Sequence, residues 1–182
     1  MDSDYCILEM GASKTGEIKI LSDICNPDFG LITNISEAHI AGYKDFDDLI
    51  QTKLALYESV SSSNGLFFLN KDDFNISNNC DEKSNKVISY SINDVSSSFV
   101  GDLSEIKNGV ISINNNSFDI PYNTNVFAFN FLASYSIAST FGVDPNSIQE
   151  AVSQFRLPKG RGEVLNIKSN SIINDSYNAN LE

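Results

Sequence analysis

Apolar and polar positions alternate along this chain in a way that sketches a fold before any residue chemistry is considered. Tyr5 to Leu8 is a short apolar run that ends at Glu9 and the turn Met10-Gly11-Ala12. It predicts a buried strand. From Gly16 to Cys25, the positions Ile18, Leu21, Ile24 and Cys25 fall on one helical face, and Asn26-Pro27-Asp28 breaks the helix. Phe29 to Asn34 reads as a second buried strand. At Asp45 a helix start follows, with Asp45 as N-cap and Asp47 and Asp48 placing negative charge in the first turn. Its apolar stripe runs Phe46, Leu49, Ile50, Tyr57, Val60. Strand, helix, strand, loop, helix is the rhythm of a parallel sheet, so the expected class is α/β, a mostly parallel sheet with flanking helices.

Gly65 to Asn70 predicts a third strand, closed by the turn Lys71-Asp72-Asp73. Between Phe74 and Asn125, short apolar bursts alternate with Asn, Ser, Asp and Gly, which predicts small antiparallel strands: a β-rich segment, 74–124, forming an insertion or one wall. That segment offers no evident chemistry. Asn125 to Phe141 is apolar all round and predicts a buried helix, with Asn130 as an amide in its middle. Asp144-Pro145 opens another helix, with Ile148, Val152 and Phe155 facing inward. Val164–Ile167 and Ser171–Asn174 form a hairpin that leads into the polar run Asp175-Ser176-Tyr177-Asn178-Ala179-Asn180.

Composition narrows the function classes. At 182 residues the chain can bury a sizeable core as one domain. A net charge of −12 argues against a general nucleic-acid or anionic-membrane surface, although a local site can still be positive. Three cysteines without paired spacing, Cys6, Cys25 and Cys80, fit reduced thiols and the cytoplasm. No apolar run is long enough to span a membrane, and the N-terminus lacks a signal-peptide pattern.

Several residues stand out chemically. Glu9, at the carboxyl end of a strand and ahead of a glycine, sits where open α/β sheets place ligand groups; an ordinary loop acid is the alternative. His39 is the single histidine. Lys53 lies on the apolar stripe between Ile50 and Tyr57. A lysine drawn inside loses hydration and needs a partner or a modification, unless its stem follows the apolar face and its head reaches water. Arg161 stands between Gly160 and Gly162, which leaves room for a phosphate-sized group. Asn130 is either satisfied by neighbouring backbone or a ligand contact.

Taken together, EMGASKTGEI, PDFGLITNISEAHIAGYKDFDDLIQTKLALY, NVFAFNFLASYSIASTFGV and GRGEV…IINDSYNAN resemble, in order and spacing, the Mur ligases. The ending DSYNAN points within that family to the branch that adds D-alanyl-D-alanine. The resemblance covers nearly the whole chain and is loose over 74–124. It implies an ATP-dependent amide ligase of cytoplasmic peptidoglycan synthesis. There ATP phosphorylates the carboxylate of UDP-N-acetylmuramoyl-tripeptide, and the amine of D-alanyl-D-alanine attacks the acyl phosphate. It further implies that Glu9 and His39 hold two Mg²⁺ ions and that Lys53 is carbamylated in support of the second. Asn130 would meet adenine, Arg161 and Asp175 the nucleotide phosphates and ribose, and Asn34, Tyr177, Asn178 and Asn180 would be neighbours of the site. Lys14, Ser36 and Leu181 depart from a usual histidine, glycine and proline.

On the same resemblance, residues 1–182 correspond to a partial central ATP-binding domain. The UDP-sugar domain and the glycine-rich phosphate loop are expected before Met1, and the C-terminal domain after Glu182. A monomer is expected. Two other readings stay open: another ATP-dependent ligase of the superfamily, such as a folylpolyglutamate synthase-like enzyme, or a non-catalytic homologue.

Overall fold

The computed structural model describes residues 4–37, 40–81, 83 and 86–177. Its first helix, α1 (Glu17–Cys25), is bounded on both sides by left-handed residues, Gly16 at φ 79° and Asn26 at φ 45°. Strand β1 (Phe29–Leu31) follows, and a 3-10 turn at Ile40–Gly42 precedes α2 (Phe46–Ser62). As the sequence predicts, Asp45 caps α2 by accepting a hydrogen bond from Asp48 N.

Strand β2 (Leu66–Asn70) leads to the short helix α3 (Phe74–Ser77), and then come β3 (Val87–Ser91) and β4 (Phe99–Asp102). A hairpin, β5 (Val110–Ile113) and β6 (Asn116–Asp119), precedes α4 (Asn125–Thr140) and α5 (Pro145–Gln154). The described chain closes with β7 (Glu163–Ile167) and β8 (Asn170–Asn174).

One sheet of six strands, in the order β1-β2-β3-β4-β5-β6, organises the molecule. β1 to β4 pair parallel, and β4, β5 and β6 pair antiparallel. Alternation along β2 splits the core in two. Phe67 and Leu69 face α2, joining Leu49, Ile50, Leu54 and Val60. Phe68 faces the other way, joining Tyr90, Ile111, Ile113, Phe118 and Leu132 beneath α4. Helices on both faces explain why β2 is a continuous apolar run, since a strand buried on both sides has no polar face to show.

The structure differs from expectation at three places. Tyr5–Leu8 forms no strand: Ile7 is 95% exposed, and no described segment pairs with it. An apolar run becomes a strand only when a neighbouring backbone accepts its hydrogen bonds. Segment 74–124 is no insertion of antiparallel strands, because β3 and β4 extend the parallel sheet and only β5 and β6 are antiparallel. The chain between β2 and β3, with the turn of α3, is long enough to cross over and return in parallel. Finally, Ile24 and Phe155, expected inside, are 75% and 43% exposed. Ile24 lies in the last turn of α1, and Phe155 is the C-cap of α5, where its ring packs on Phe127 and Tyr122.

β7 and β8 form a two-stranded sheet of their own. Its apolar side chains Val164, Ile167, Ile172 and Ile173 are exposed.

Candidate functional site

A cleft of about 280 Å³ opens at the carboxyl ends of β1, β2 and β3, beside α4. That is where a parallel sheet gathers loops from several strands at once. Asn70 and Tyr90 are register partners on β2 and β3, so their side chains share the face toward α4 and form the floor. Val126 and Asn130, and likewise Phe129 and Ala133, stand four residues apart on α4 and present one wall. Thr33 and Asn34 complete the rim.

The rim loop is held by side chains distant in sequence. Asn70 Nδ2 donates to Thr33 O at 2.7 Å, and Asn70 Oδ1 accepts from Asp72 N at 3.0 Å. Asp73 accepts from Ile35 N at 2.7 Å while its other oxygen caps α3 through Ile76 N at 3.1 Å. Asn75 Nδ2 donates to Ile35 O at 3.0 Å. These bonds hold the segment that follows β1, which ends at Leu31 although the apolar run continues to Ile32.

Asp72 is likewise committed. It accepts from Ser91 Oγ at 2.6 Å, Ile92 N at 2.7 Å and Asn93 Nδ2 at 2.9 Å, which ties the end of β3 to the end of β2. The Tyr90 phenol beside these carboxylates is raised well above its ordinary range, first by burial and then by the charges of Asp73 and Asp72.

A second cluster lies around the hairpin. The Arg161 guanidinium stacks 4.2 Å from the centre of the Tyr177 ring. Asp175 Oδ1 accepts from Gly162 N at 3.1 Å, and Tyr177 N donates to Gly160 O at 3.0 Å. Gly160 and Gly162 both have positive φ, 79° and 66°, so the glycines flanking Arg161 are required by the turn itself. Arg161, Asp175 and Tyr177 are exposed.

A third group surrounds the starts of α1 and α2. Thr15 Oγ1 donates to Asp48, and Gly16 N donates to the buried Thr52 Oγ1 at 3.3 Å. Glu17 accepts from Ser13 N at 2.6 Å and Lys14 N at 3.0 Å, and these backbone donors, Ser13 first, hold its carboxyl below the usual range. Gly42 approaches so closely that a Cβ there would lie 1.7 Å from Ser13 O.

Of the residues singled out in the sequence, Asn34 and Asn130 meet at the cleft, and both are exposed. Arg161, Asp175 and Tyr177 meet at the open end of the β7–β8 hairpin, away from its turn. Glu9 is exposed in the loop before α1. Lys53 is half-buried on α2 and is engaged with a partner. His39, Asn178 and Asn180 lie outside the described residues. Sequence reasoning missed Asn70, Asp72, Asp73, Tyr90, Val126 and Phe129. The test applied to Glu9, a carboxylate just past a buried strand, would also have found Asp72 and Asp73. Tyr90 carries no such signal, because an aromatic in an apolar burst reads as core.

Residues 1–138 match the family model described as the Mur ligase middle domain. The UDP-N-acetylmuramoyl-tripeptide–D-alanyl-D-alanine ligase of Rickettsia prowazekii is 29% identical over 98% of this chain and 41% of its own length. A crystal structure of MurF from Acinetobacter baumannii superposes with a TM-score of 0.81 at 22% identity, covering 95% of this chain and 39% of that one. MurF from Thermotoga maritima, solved in complex with ADP, gives a TM-score of 0.73 at 22% identity, over 97% of this chain and 43% of that one. The chain thus spans about two fifths of the relatives it matches.

Proposed function

The chain belongs to the Mur ligase family, and from that premise we propose that it supplies the nucleotide-binding part of an ATP-dependent amide ligase. The full enzyme joins D-alanyl-D-alanine to UDP-N-acetylmuramoyl-tripeptide through an acyl phosphate, in the cytoplasmic assembly of peptidoglycan precursors. The observation that carries this reading is the convergence of Asn34 and Asn130 on one cleft at the carboxyl ends of parallel strands. An apolar wall of Val126, Phe129 and Ala133 beside a polar rim suits a flat heteroaromatic base, which needs a face to lie against and a few directed hydrogen bonds.

The rest of the nucleotide falls to exposed groups. Arg161, stacked on Tyr177, offers planar donors to phosphate oxygens, and Asp175, fixed by Gly162 N, accepts from a ribose hydroxyl. Among the described residues no three His, Cys, Asp or Glu side chains form a metal-binding group. Mg²⁺ bound with substrate phosphates takes only one or two carboxylates, which Glu9 suits, with His39 and a carbamylated Lys53 for a second ion. When bound, the ions neutralise phosphate charge during transfer. The half-buried position of Lys53 favours modification, because a carbamate exchanges a poorly hydrated cation for an anion that can pair with metal.

The test is a side-by-side assay of this chain and a full-length relative for ATP hydrolysis and for ligation of D-alanyl-D-alanine. This chain should bind ADP weakly and ligate nothing. Ligation by this chain at the rate of the longer enzyme would overturn the assignment of a part role.

A further inference from the structure

The floor of the cleft holds one polar group that the protein itself does not use. Tyr90 is 1% exposed, on the strand face that looks toward α4. Its neighbours are committed: Asn70 to Thr33 O and Asp72 N, Asp72 to the β3 turn, and Asp73 to Ile35 N and Ile76 N. Among the described residues the Tyr90 hydroxyl has no hydrogen-bond partner. It is not sealed off either: the buried unpaired side-chain atoms are Tyr43 Oη and Ser97 Oγ, and Tyr90 Oη is not one of them. Tyr90 is one of the residues that line the cleft.

A tyrosine that merely filled space would be matched by phenylalanine, and burying a hydroxyl without a partner costs free energy. Burial first, and then the nearby carboxylates of Asp73 and Asp72, keep the phenol protonated, so the group it presents carries an O–H donor. Asn34 and Asn130 on the rim can donate and accept through their amides, and the floor adds the Tyr90 O–H, whose hydrogen meets no acceptor among the described residues.

We propose that Tyr90 is a specificity-determining residue of this cleft, its hydroxyl donating a hydrogen bond to a ring nitrogen of the bound purine. This rests on the reading of the cleft as a nucleotide-base site and adds to it the contact that selects the base. The ring nitrogens of adenine that carry no substituent are acceptors, so a base without such a nitrogen facing Tyr90 leaves the donor unpaired and binds more weakly.

The experiment is an NMR titration of this chain and its Tyr90→Phe variant with ADP and adenosine, repeated with the 1-deaza, 3-deaza and 7-deaza forms of adenosine. NMR reads even millimolar binding. Tyr90→Phe should weaken ADP and adenosine about three- to tenfold, the share of one hydrogen bond. One deaza analogue should weaken wild-type binding by the same factor and lose nothing further in the variant. The melting temperature of Tyr90→Phe should equal or exceed that of the wild type, because no internal bond is lost. Equal affinities of variant and wild type for ADP and all analogues would overturn the proposal, and so would a marked drop in melting temperature, which would mean an internal partner. Should the wild type bind neither ADP nor adenosine, the nucleotide reading itself falls and the Tyr90 role with it.

Discussion

The amide N–H of Ile35 donates to the carboxylate of Asp73 at 2.7 Å, joining two points 38 residues apart in the chain. The same carboxylate caps α3 through Ile76 N, so one side chain fixes both the rim of the cleft and the helix beside it. Asp73→Ala should therefore cost about 1–3 kcal/mol, the sum of a helix cap and a charge-assisted bond to a backbone N–H. Asp73→Asn, which keeps an acceptor, should cost less. Urea denaturation measures the difference, and hydrogen exchange should find the Ile35 amide less protected in the alanine variant. Unchanged stability would show the bond to be energetically idle.

Cys80 is buried, and desolvation pushes its thiol up to about 12. Cys6 is exposed. At pH 8 in the native state, iodoacetamide should modify Cys6 and leave Cys80 intact, because the thiolate is the reactive form. Peptide mapping by mass spectrometry after a timed reaction checks this, and equal labelling of both would mean that the packing around Cys80 opens readily.

Asp94 is held far below the usual carboxylate range, first by the hydrogen bond from Lys71, then by Ser96 Oγ and Ser96 N. A depressed folded-state value contributes stability above the unfolded carboxylate pKa of about 3.9, and the contribution fades as pH falls toward the folded value. Asp94→Asn should therefore lower the melting temperature at pH 6 and lose that deficit progressively below pH 4. Melting curves from pH 2.5 to 7 read it out, and parallel curves for both proteins would refute the linkage. The effect should also shrink in high salt, since the pair is partly exposed.

Gly42 meets the loop before α1 so closely that any Cβ collides with Ser13 O. Gly42→Ala should displace one of the two loops and destabilise the protein by about 1–3 kcal/mol, as overpacking does. Chemical shifts of Ser13 and Lys14 should move more than those of the distant β5–β6 hairpin. A variant with wild-type stability and shifts would mean that the loops separate without cost.

How much of this was legible in the chain depends on the range of the interaction that decides it. The α2 start was readable because its N-cap, Asp45, lies three residues from the N–H it satisfies, within one helical turn. α4, α5 and the β7–β8 hairpin were readable for the same local reason, and the ordered motifs from Glu9 to Asn180 carried the family. Local pattern could not say that Tyr5–Leu8 would find no strand partner among the described residues, or that β3 and β4 would run parallel to β2, since both depend on which backbone lies alongside. Nor could it show that Asn70 and Asp73, from beyond α2, hold the segment that follows β1. The sequence by itself determined the class of fold and the family, and it named Asn34 and Asn130 separately among the candidates. Only the tertiary structure decided that Asp72 and Asp73 are spent on holding loops while Tyr90, indistinguishable in sequence from a core aromatic, keeps an unpaired hydroxyl at the cleft. The reason is physical: helix caps and apolar periods act over a few residues, whereas the supply of hydrogen-bond partners to a buried polar group is known only once distant segments have packed around it.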